Sequence, residues 1–276
     1  MTRLLNSARR WALEAGDILM SHFDADRAPA IVTGPDVKNF ATQVDVEIQR
    51  LIHARITQEY PGHAFVGEEE GLQDQARKEG YTWVVDPLDG TLNFYFGFPL
   101  FAVAIGALRN GVPHIGVVYD PYHKELYLAE RGKGPAICVH LAHQVEQILS
   151  PSKLERLDEA IVMTHLTAND AARSSFLEGG ALSRLARNAR HVRMLGCGQL
   201  SLSYVARGRF HAFVVNATHP WDVVAGHVIV EAAGGVVTDY WGNPWTVEAQ
   251  SVLAACNPTM HRALLSLIKE QGDIGS

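Results

Sequence analysis

Two carboxylates, a carbonyl, a glycine and a hydroxyl fall within six residues of one another in the stretch W-V-V-D-P-L-D-G-T-L-N-F, Trp83 to Phe94. Asp86 and Asp89 offer hard oxygens, and the carbonyl of Leu88 adds a neutral one. Oxygens of this kind suit divalent cations such as Mg²⁺. If a helical turn starts after Asp89, the N–H groups of Gly90 and Thr91 point away from it and suit an anion. Carboxylates that hold a cation beside amides that hold a phosphate suggest phosphoryl chemistry. The plainer alternative is a D-P-x-D-G turn between two strands, because Asp, Pro and Gly are ordinary turn residues. That accounts for the turn alone. It leaves unexplained the apolar run Trp83-Val84-Val85 and three further acidic points: Asp45, the G-E-E-E cluster at Gly67–Glu70, and Asp222 in P-W-D-V-V-A-G. Adjacent carboxylates such as Glu68 and Glu69 are commonly a solvated charge run. A lone Asp45 in a first helical turn commonly serves the helix dipole.

The elements that must position these groups follow from periodicity. Leu4, Leu5, Ala8, Trp11, Ala12, Ala15, Ile18 and Leu19 recur at helical spacing, which predicts a helix over 3–22. Asp24–Asp36 reads as loop, with an edge strand at Ala30–Val32. Thr42 can cap a second helix over 44–59 that turns Val44, Ile48, Leu51, Ile52 and Ile56 inward. Ala64–Val66 is a short strand leading into Glu68. Trp83–Val85 is a buried strand that Pro87 should stop, since proline has no N–H for a ladder. Asn110-Gly111 between Phe101–Leu108 and Val112–Tyr119 predicts a hairpin. Glu125–Ala129 and Ala136–His140 add two more strands. A polar segment, Gln144–Leu157, divides residues 1–150, two helices on a mostly antiparallel sheet, from 151–276, where strands and helices alternate. In the second half, strands are expected at 160–164, 191–195, 210–215, 236–238 and 251–255. Helices are expected at 170–187, 199–206, from about Asp222 to Gly234, and at 260–269.

A chain of 276 residues with 47% hydrophobic and 20% charged residues has enough apolar side chains for a core of normal size. Its formal net charge of −6 offers no basic surface for nucleic acid. Cys138, Cys197 and Cys256 lie far apart, so neither a disulfide framework nor a zinc site is indicated, and a reducing compartment fits. The first residues carry no long apolar run, so neither a signal peptide nor a membrane span is expected, and the reading is a cytoplasmic protein. The 13 histidines form no H-x-x-x-H pair and read as structural or surface residues, with His219 beside Asp222 the one of interest.

Three blocks carry a wider resemblance: G-E-E at Gly67–Glu69, W-x-V-D-P-L-D-G-T-x-N-F at Trp83–Phe94 and W-D-x-x-A-G at Trp221–Gly226. In order and spacing, over nearly the whole chain, the sequence resembles the inositol monophosphatase family of magnesium-dependent, lithium-sensitive sugar phosphatases. The resemblance implies a layered αβαβα sandwich, a mostly antiparallel first sheet and a mixed second one. It implies two to three Mg²⁺ ions, with Mn²⁺ a possible substitute. Glu68, Asp86 and the Leu88 carbonyl would hold the first ion, and Asp86, Asp89 and Asp222 the second. Thr91 and Glu68 would orient the attacking water, and Asp45 would bond the threonine hydroxyl. The amides of Gly90 and Thr91 would hold phosphate oxygens. Arg193 would stand beside the substrate, and the backbone of Cys197 and Gly198 would line the sugar site. For Cys197 a buried small hydrophobe is an equal reading. Lys38 lies near a lysine of the family's metal loop, and Glu69 should point away from Glu68's side. A homodimer is also implied.

At Val215 the sequence departs from the pattern. Seven residues before the W-D aspartate, inositol-selective members carry a glutamate that accepts hydrogen bonds from substrate hydroxyls. The expectation is therefore a Mg²⁺-dependent phosphomonoesterase on a small polyol or sugar phosphate. Fructose 1,6-bisphosphate, histidinol phosphate and 3′-phosphoadenosine nucleotides are alternative substrates. Two other classes remain: an aspartyl-phosphate phosphatase, whose D-x-D-x-T aspartates stand two apart rather than three, and a non-catalytic regulatory or binding protein on the same scaffold.

Overall fold

Alternation along strands and helical spacing sort the side chains of the first half onto two faces of one sheet. A computed structural model describes residues 1–23, 43–69, 79–166, 180–216 and 218–269. Lys38, Thr42, Glu70, the edge strand expected at 30–32 and most of the helix expected at 170–187 lie outside the described residues.

Helix α1, Arg3–His22, starts where the Thr2 hydroxyl accepts the Leu5 N–H. It buries Leu5, Ala8, Trp11, Ala12, Ala15 and Leu19, the expected stripe. Helix α2 spans Gln43–Glu59. Both pack on one face of a seven-stranded sheet: β1 Ala64–Gly67, β2 Tyr81–Asp89, β3 Ala102–Arg109, β4 Val112–Asp120, β5 Glu125–Glu130, β6 Ile137–His140 and β7 Val145–Ile148. The strands lie in sequence order, β1 parallel to β2 and every later pair antiparallel. Trp83, Val85, Val103, Ile105, Ile115 and Val117 point to the helices and join Trp11, Ile48 and Ile52 in one core. Val84, Ala104 and Val118, one residue out of phase, point to the other face and join a second core.

That second core is shared with the rest of the chain. A five-stranded mixed sheet, ordered β11-β12-β10-β8-β9, comprises β8 Ile161–Thr164, β9 His191–Met194, β10 Ala212–Asn216, β11 Val236–Thr238 and β12 Ser251–Ala255. Between the two sheets lie α5, Gly198–Ala206, and α6, Pro220–Ala233; α4, Ala181–Asn188, and α7, Pro258–Lys269, pack on the far side. The short helix α3, Thr91–Tyr95, follows β2. The layers thus run helix, sheet, helix, sheet, helix, as expected. Gly106 and Gly116 face each other across β3 and β4. A Cβ on Gly116 would come 2.2 Å from the Ala225 carbonyl oxygen, and one on Gly106 would come 2.6 Å from Val224. This pair of bare positions lets α6, the carrier of Asp222, lie against the sheet.

Two local expectations are corrected. Strand β2 does not stop before Pro87 but runs to Asp89. Its register against β3 slips between Asp86 and Asp89, so the proline occupies the irregular step, where no ladder N–H is required. The polar divider contains β7, an edge strand on β6. All four of its residues are exposed, so it has no apolar alternation to betray it. The hairpin turn is as expected: Asn110 and Gly111 both adopt positive φ, 54° and 77°.

Candidate active site

Asp86, Asp89 and Asp222 each accept backbone N–H groups, and those of Asp89 come from another layer. Asp86 lies in the bulged end of β2, where its Oδ1 accepts the Leu88 N–H at 3.0 Å. Thr91 Oγ1 contacts the Leu88 carbonyl oxygen at 2.9 Å and Asp45 Oδ1 at 3.3 Å. Asp45, in the first turn of α2, is thereby brought to Thr91, a pairing that the family resemblance implied. Gly90 precedes α3 with φ 91°, and a Cβ there would come 2.9 Å from the Leu100 carbonyl oxygen, so the position needs glycine. The first N–H groups of α3 have no partner within the helix, as at every helix start.

Asp89 points to the start of α5. Its Oδ1 accepts the Gly198 N–H at 2.8 Å, and its Oδ2 accepts those of Gln199 at 2.8 Å and Leu200 at 3.2 Å. The Cys197 thiol adds a bond to Oδ2 at 2.9 Å. Cys197 is therefore both a buried small side chain and a donor to a site carboxylate. Asp222, at the third position of α6, closes a capping box: its Oδ2 accepts the His219 N–H at 2.7 Å. The His219 ring lies flat on Trp221, centroids 4.7 Å apart.

Charge confirms that the carboxyls are gathered. Burial, and then the charge of Asp222, push Glu68 up to about 8, against a bond from Asp86. Burial followed by Glu68, Asp89 and Asp222 holds Asp86 well above the ordinary range. Burial lifts Asp222 to about 6 despite the His219 N–H. Asp89 is raised by burial, which outweighs its four donors. The cluster is short of positive charge, and beyond burial the neighbouring carboxylates raise both Glu68 and Asp86. Among the described residues, no three acidic, histidine or cysteine side chains are grouped so as to hold a metal ion. The donors are nonetheless all hard oxygens, and a cation would relieve the repulsion among these carboxylates. In chemistry the set fits a divalent ion.

Other expected residues stand farther out. Arg193 is exposed on the edge strand β9, its guanidinium donating to the Val192 carbonyl at 3.2 Å; it makes no bond to the acidic cluster among the described residues. Val215, 3% exposed, is the next-to-last residue of β10, on the face it shares with Phe213. The Phe213 ring tip would be 3.8 Å from a Cβ on Gly198, so that face looks toward the start of α5.

Two buried glutamines escaped the sequence reading. Gln49 of α2 accepts the Glu69 N–H at 2.8 Å and donates to the Glu69 carbonyl at 2.7 Å, pinning the G-E-E segment. A Cβ on Gly67 would strike its side chain at 2.2 Å. Gln199 donates to the Trp221 carbonyl and accepts the Gly226 N–H, tying the start of α5 to W-D-x-x-A-G. Asn93 adds a third clamp by donating to the carbonyls of Leu100 and Leu195, both at 2.8 Å. Gln49 could have been noticed as an amide beside Ile48 and Ile52 on an inward face, and Gln199 as the one amide in an otherwise apolar and hydroxyl-bearing helix.

Each clamp thus holds one motif block to a neighbouring element, and comparison with known proteins finds the same fold. The model of the family described as "Inositol monophosphatase family" matches residues 1–273. An inositol-1-monophosphatase of Bacillus subtilis is 34% identical over 265 residues, covering 95% of each chain. A protein of Pseudomonas aeruginosa named Nus factor SuhB is also 34% identical, over 98% of this chain and 97% of its own. An inositol monophosphatase structure from Anabaena superposes with a TM-score of 0.81 at 30% identity, over 98% of this chain and 97% of the other. The structure of SaIMPase-II with inositol monophosphate bound gives 0.78 at 28% identity, over 96% and 93%. With its motif blocks clamped in place and its whole length matched, the chain belongs to the inositol monophosphatase family and is a phosphoric monoester hydrolase.

Proposed function

We propose that the chain is a Mg²⁺-dependent phosphomonoesterase of broad specificity toward small polyol, sugar or nucleoside phosphates, acting by direct attack of water. The observation that carries this is the cluster of Glu68, Asp86 and Asp222, Asp86 buried and the other two half-buried, beside the Thr91–Asp45 pair, at the end of β2 where α3 begins. Residues 1–150 supply most of the acidic groups, and 151–276 supply Asp222 and the surroundings of Val215. Glu68, Asp86, the Leu88 carbonyl, Asp89 and Asp222 would hold two to three Mg²⁺ ions, or Mn²⁺ in their place. When bound, such ions neutralise phosphoryl oxygens and make water a stronger nucleophile at neutral pH. Thr91 and Glu68 orient the attacking water, and Asp45 fixes the threonine rotamer. The N–H groups of Gly90 and Thr91 hold phosphate oxygens. Preorganised donors of this kind contribute through charge that develops in the transition state.

Val215 argues for breadth. The SaIMPase-II structure has inositol monophosphate bound, and the same ester could bind here through its phosphate, but the Val215 side chain accepts no hydrogen bond from a hydroxyl. Exposed Leu92, Phe96 and Phe98 beside the site offer an apolar surface for a second copy, consistent with a homodimer. The three buried free cysteines are compatible with a cytoplasmic location, and no described helix is long and apolar enough to cross a membrane. The test is phosphate release, with and without Mg²⁺, from inositol, sugar, histidinol and nucleotide phosphates. Mg²⁺-dependent turnover of several is expected; no release from any of them refutes the reading. A relative named as a Nus factor supports a second reading, a binding role on the same scaffold. Asp86→Asn would abolish turnover and leave such binding intact.

A further inference from the structure

Asp89 is the site carboxylate most fully occupied by internal donors. A carboxylate has about four good acceptor directions, two on each oxygen. On Oδ2 the short bonds from the Gln199 N–H, 2.8 Å, and the Cys197 thiol, 2.9 Å, fill both, and the Leu200 N–H is a longer third at 3.2 Å. On Oδ1 the Gly198 N–H fills one at 2.8 Å and leaves the other. Three of these four donors are backbone groups set by the first turn of α5. The fourth is a side chain, 1% exposed, whose sulfur also lies 3.4 Å from the Asp89 carbonyl oxygen.

We propose that Cys197 is a positioning residue that closes Oδ2 of Asp89, so that this carboxylate can give a cation one oxygen, Oδ1, and not two. The proposal rests on the phosphatase reading above, in which Asp89 faces a divalent ion. It has a consequence for ion choice. Mg²⁺ takes single oxygens at the corners of a tight octahedron, whereas the larger Ca²⁺ readily takes both oxygens of one carboxylate. An Asp89 limited to Oδ1 therefore favours Mg²⁺ over Ca²⁺. With the thiol removed, one direction on Oδ2 is covered only by the long bond from Leu200, which a cation can displace.

The test is calorimetric titration of the full-length chain with Mg²⁺ and, separately, Ca²⁺, in wild type, Cys197→Ala and Cys197→Ser. Losing one hydrogen bond to a charged acceptor should raise the Ca²⁺-to-Mg²⁺ affinity ratio of Cys197→Ala by about tenfold. Cys197→Ser, which restores a donor, should return the ratio to near the wild-type value. If the alanine variant does not fold, Cys197→Val removes the donor while filling the space, and the same rise is expected. An unchanged ratio in a folded donor-less variant that binds both ions overturns the role of Cys197 and leaves the phosphatase reading standing. A wild-type chain that binds neither ion overturns both.

Discussion

Glu125 ties the two halves of the chain together, and acid should loosen that tie. It stands at the start of β5, its side chain 8% exposed, and accepts from both terminal nitrogens of Arg209 at 2.7 and 2.8 Å. Arg207 adds a contact at 2.7 Å and the Tyr127 hydroxyl one at 2.6 Å. Both arginines belong to the connection between α5 and β10, so the cluster bridges the seven-stranded sheet and the second half. Burial alone would raise the Glu125 pKa, but the bonds from Arg209, Tyr127 and Arg207 outweigh it and hold the group at about 2. Because the folded value lies below the unfolded one, the ionised form contributes its full stabilisation above pH 4.5 and loses it as pH falls toward 2. A displacement from 4.5 to about 2 corresponds to about 3 kcal/mol, of which about 2 kcal/mol is gone by pH 3. Glu125→Gln keeps the shape and strands Arg207, whose side chain is only 13% exposed, without its counter-charge. The expected loss at pH 7 is about 3–5 kcal/mol. Urea unfolding followed by tryptophan fluorescence should show the gap between wild type and variant narrowing by about 2 kcal/mol from pH 7 to pH 3. A gap that stays constant over that range would refute the assignment of the stabilisation to the ionised carboxylate.

Asp86→Asn and Asp222→Asn should each lose most turnover while the metal-free protein unfolds no earlier than wild type, because one like charge leaves a crowded acidic cluster; undiminished activity at low Mg²⁺ removes that residue from the metal site. A single turnover in ¹⁸O-labelled water should place one label in the released phosphate with inversion at phosphorus, and recovery of a phosphorylated Asp86 would instead establish an aspartyl-phosphate route. Val215→Glu should shift kcat/KM toward inositol phosphates relative to other esters by about tenfold, the worth of one hydrogen bond to a charged acceptor; a wild-type enzyme already selective for inositol 1-phosphate contradicts the reading of Val215.

Much of the site was legible because it is local. Asp86, Leu88, Asp89, Gly90 and Thr91 are neighbours in sequence, and a strand running into a short helix places them within reach of one another whatever the rest of the chain does. The stripes on α1 and α2, the Asn110-Gly111 turn and the alternation that sends Trp83 and Val84 to opposite cores are likewise short-range patterns. The two corrected elements lacked such a pattern. The exposed β7 has no buried face, and β2 passes Pro87 because its partner strand permits a register slip there.

Amino-acid order by itself thus determined which side chains are candidates for the chemistry and which short elements bear them. Tertiary structure alone decided what holds those side chains in place. Gln49 meets Glu69 across 20 residues, Gln199 meets Gly226 across 27 and Cys197 meets Asp89 across 108. No periodicity encodes these pairings, since a buried amide or thiol finds its partner only when two layers close on it. Burial then forces the pairing, because an unpaired polar group left in the core costs about 1–3 kcal/mol. The raised carboxyls have the same origin: Glu68, Asp86, Asp89 and Asp222 are ordinary acids along the chain, and become a crowded cluster only where the ends of β1 and β2 and the start of α6 bring them together.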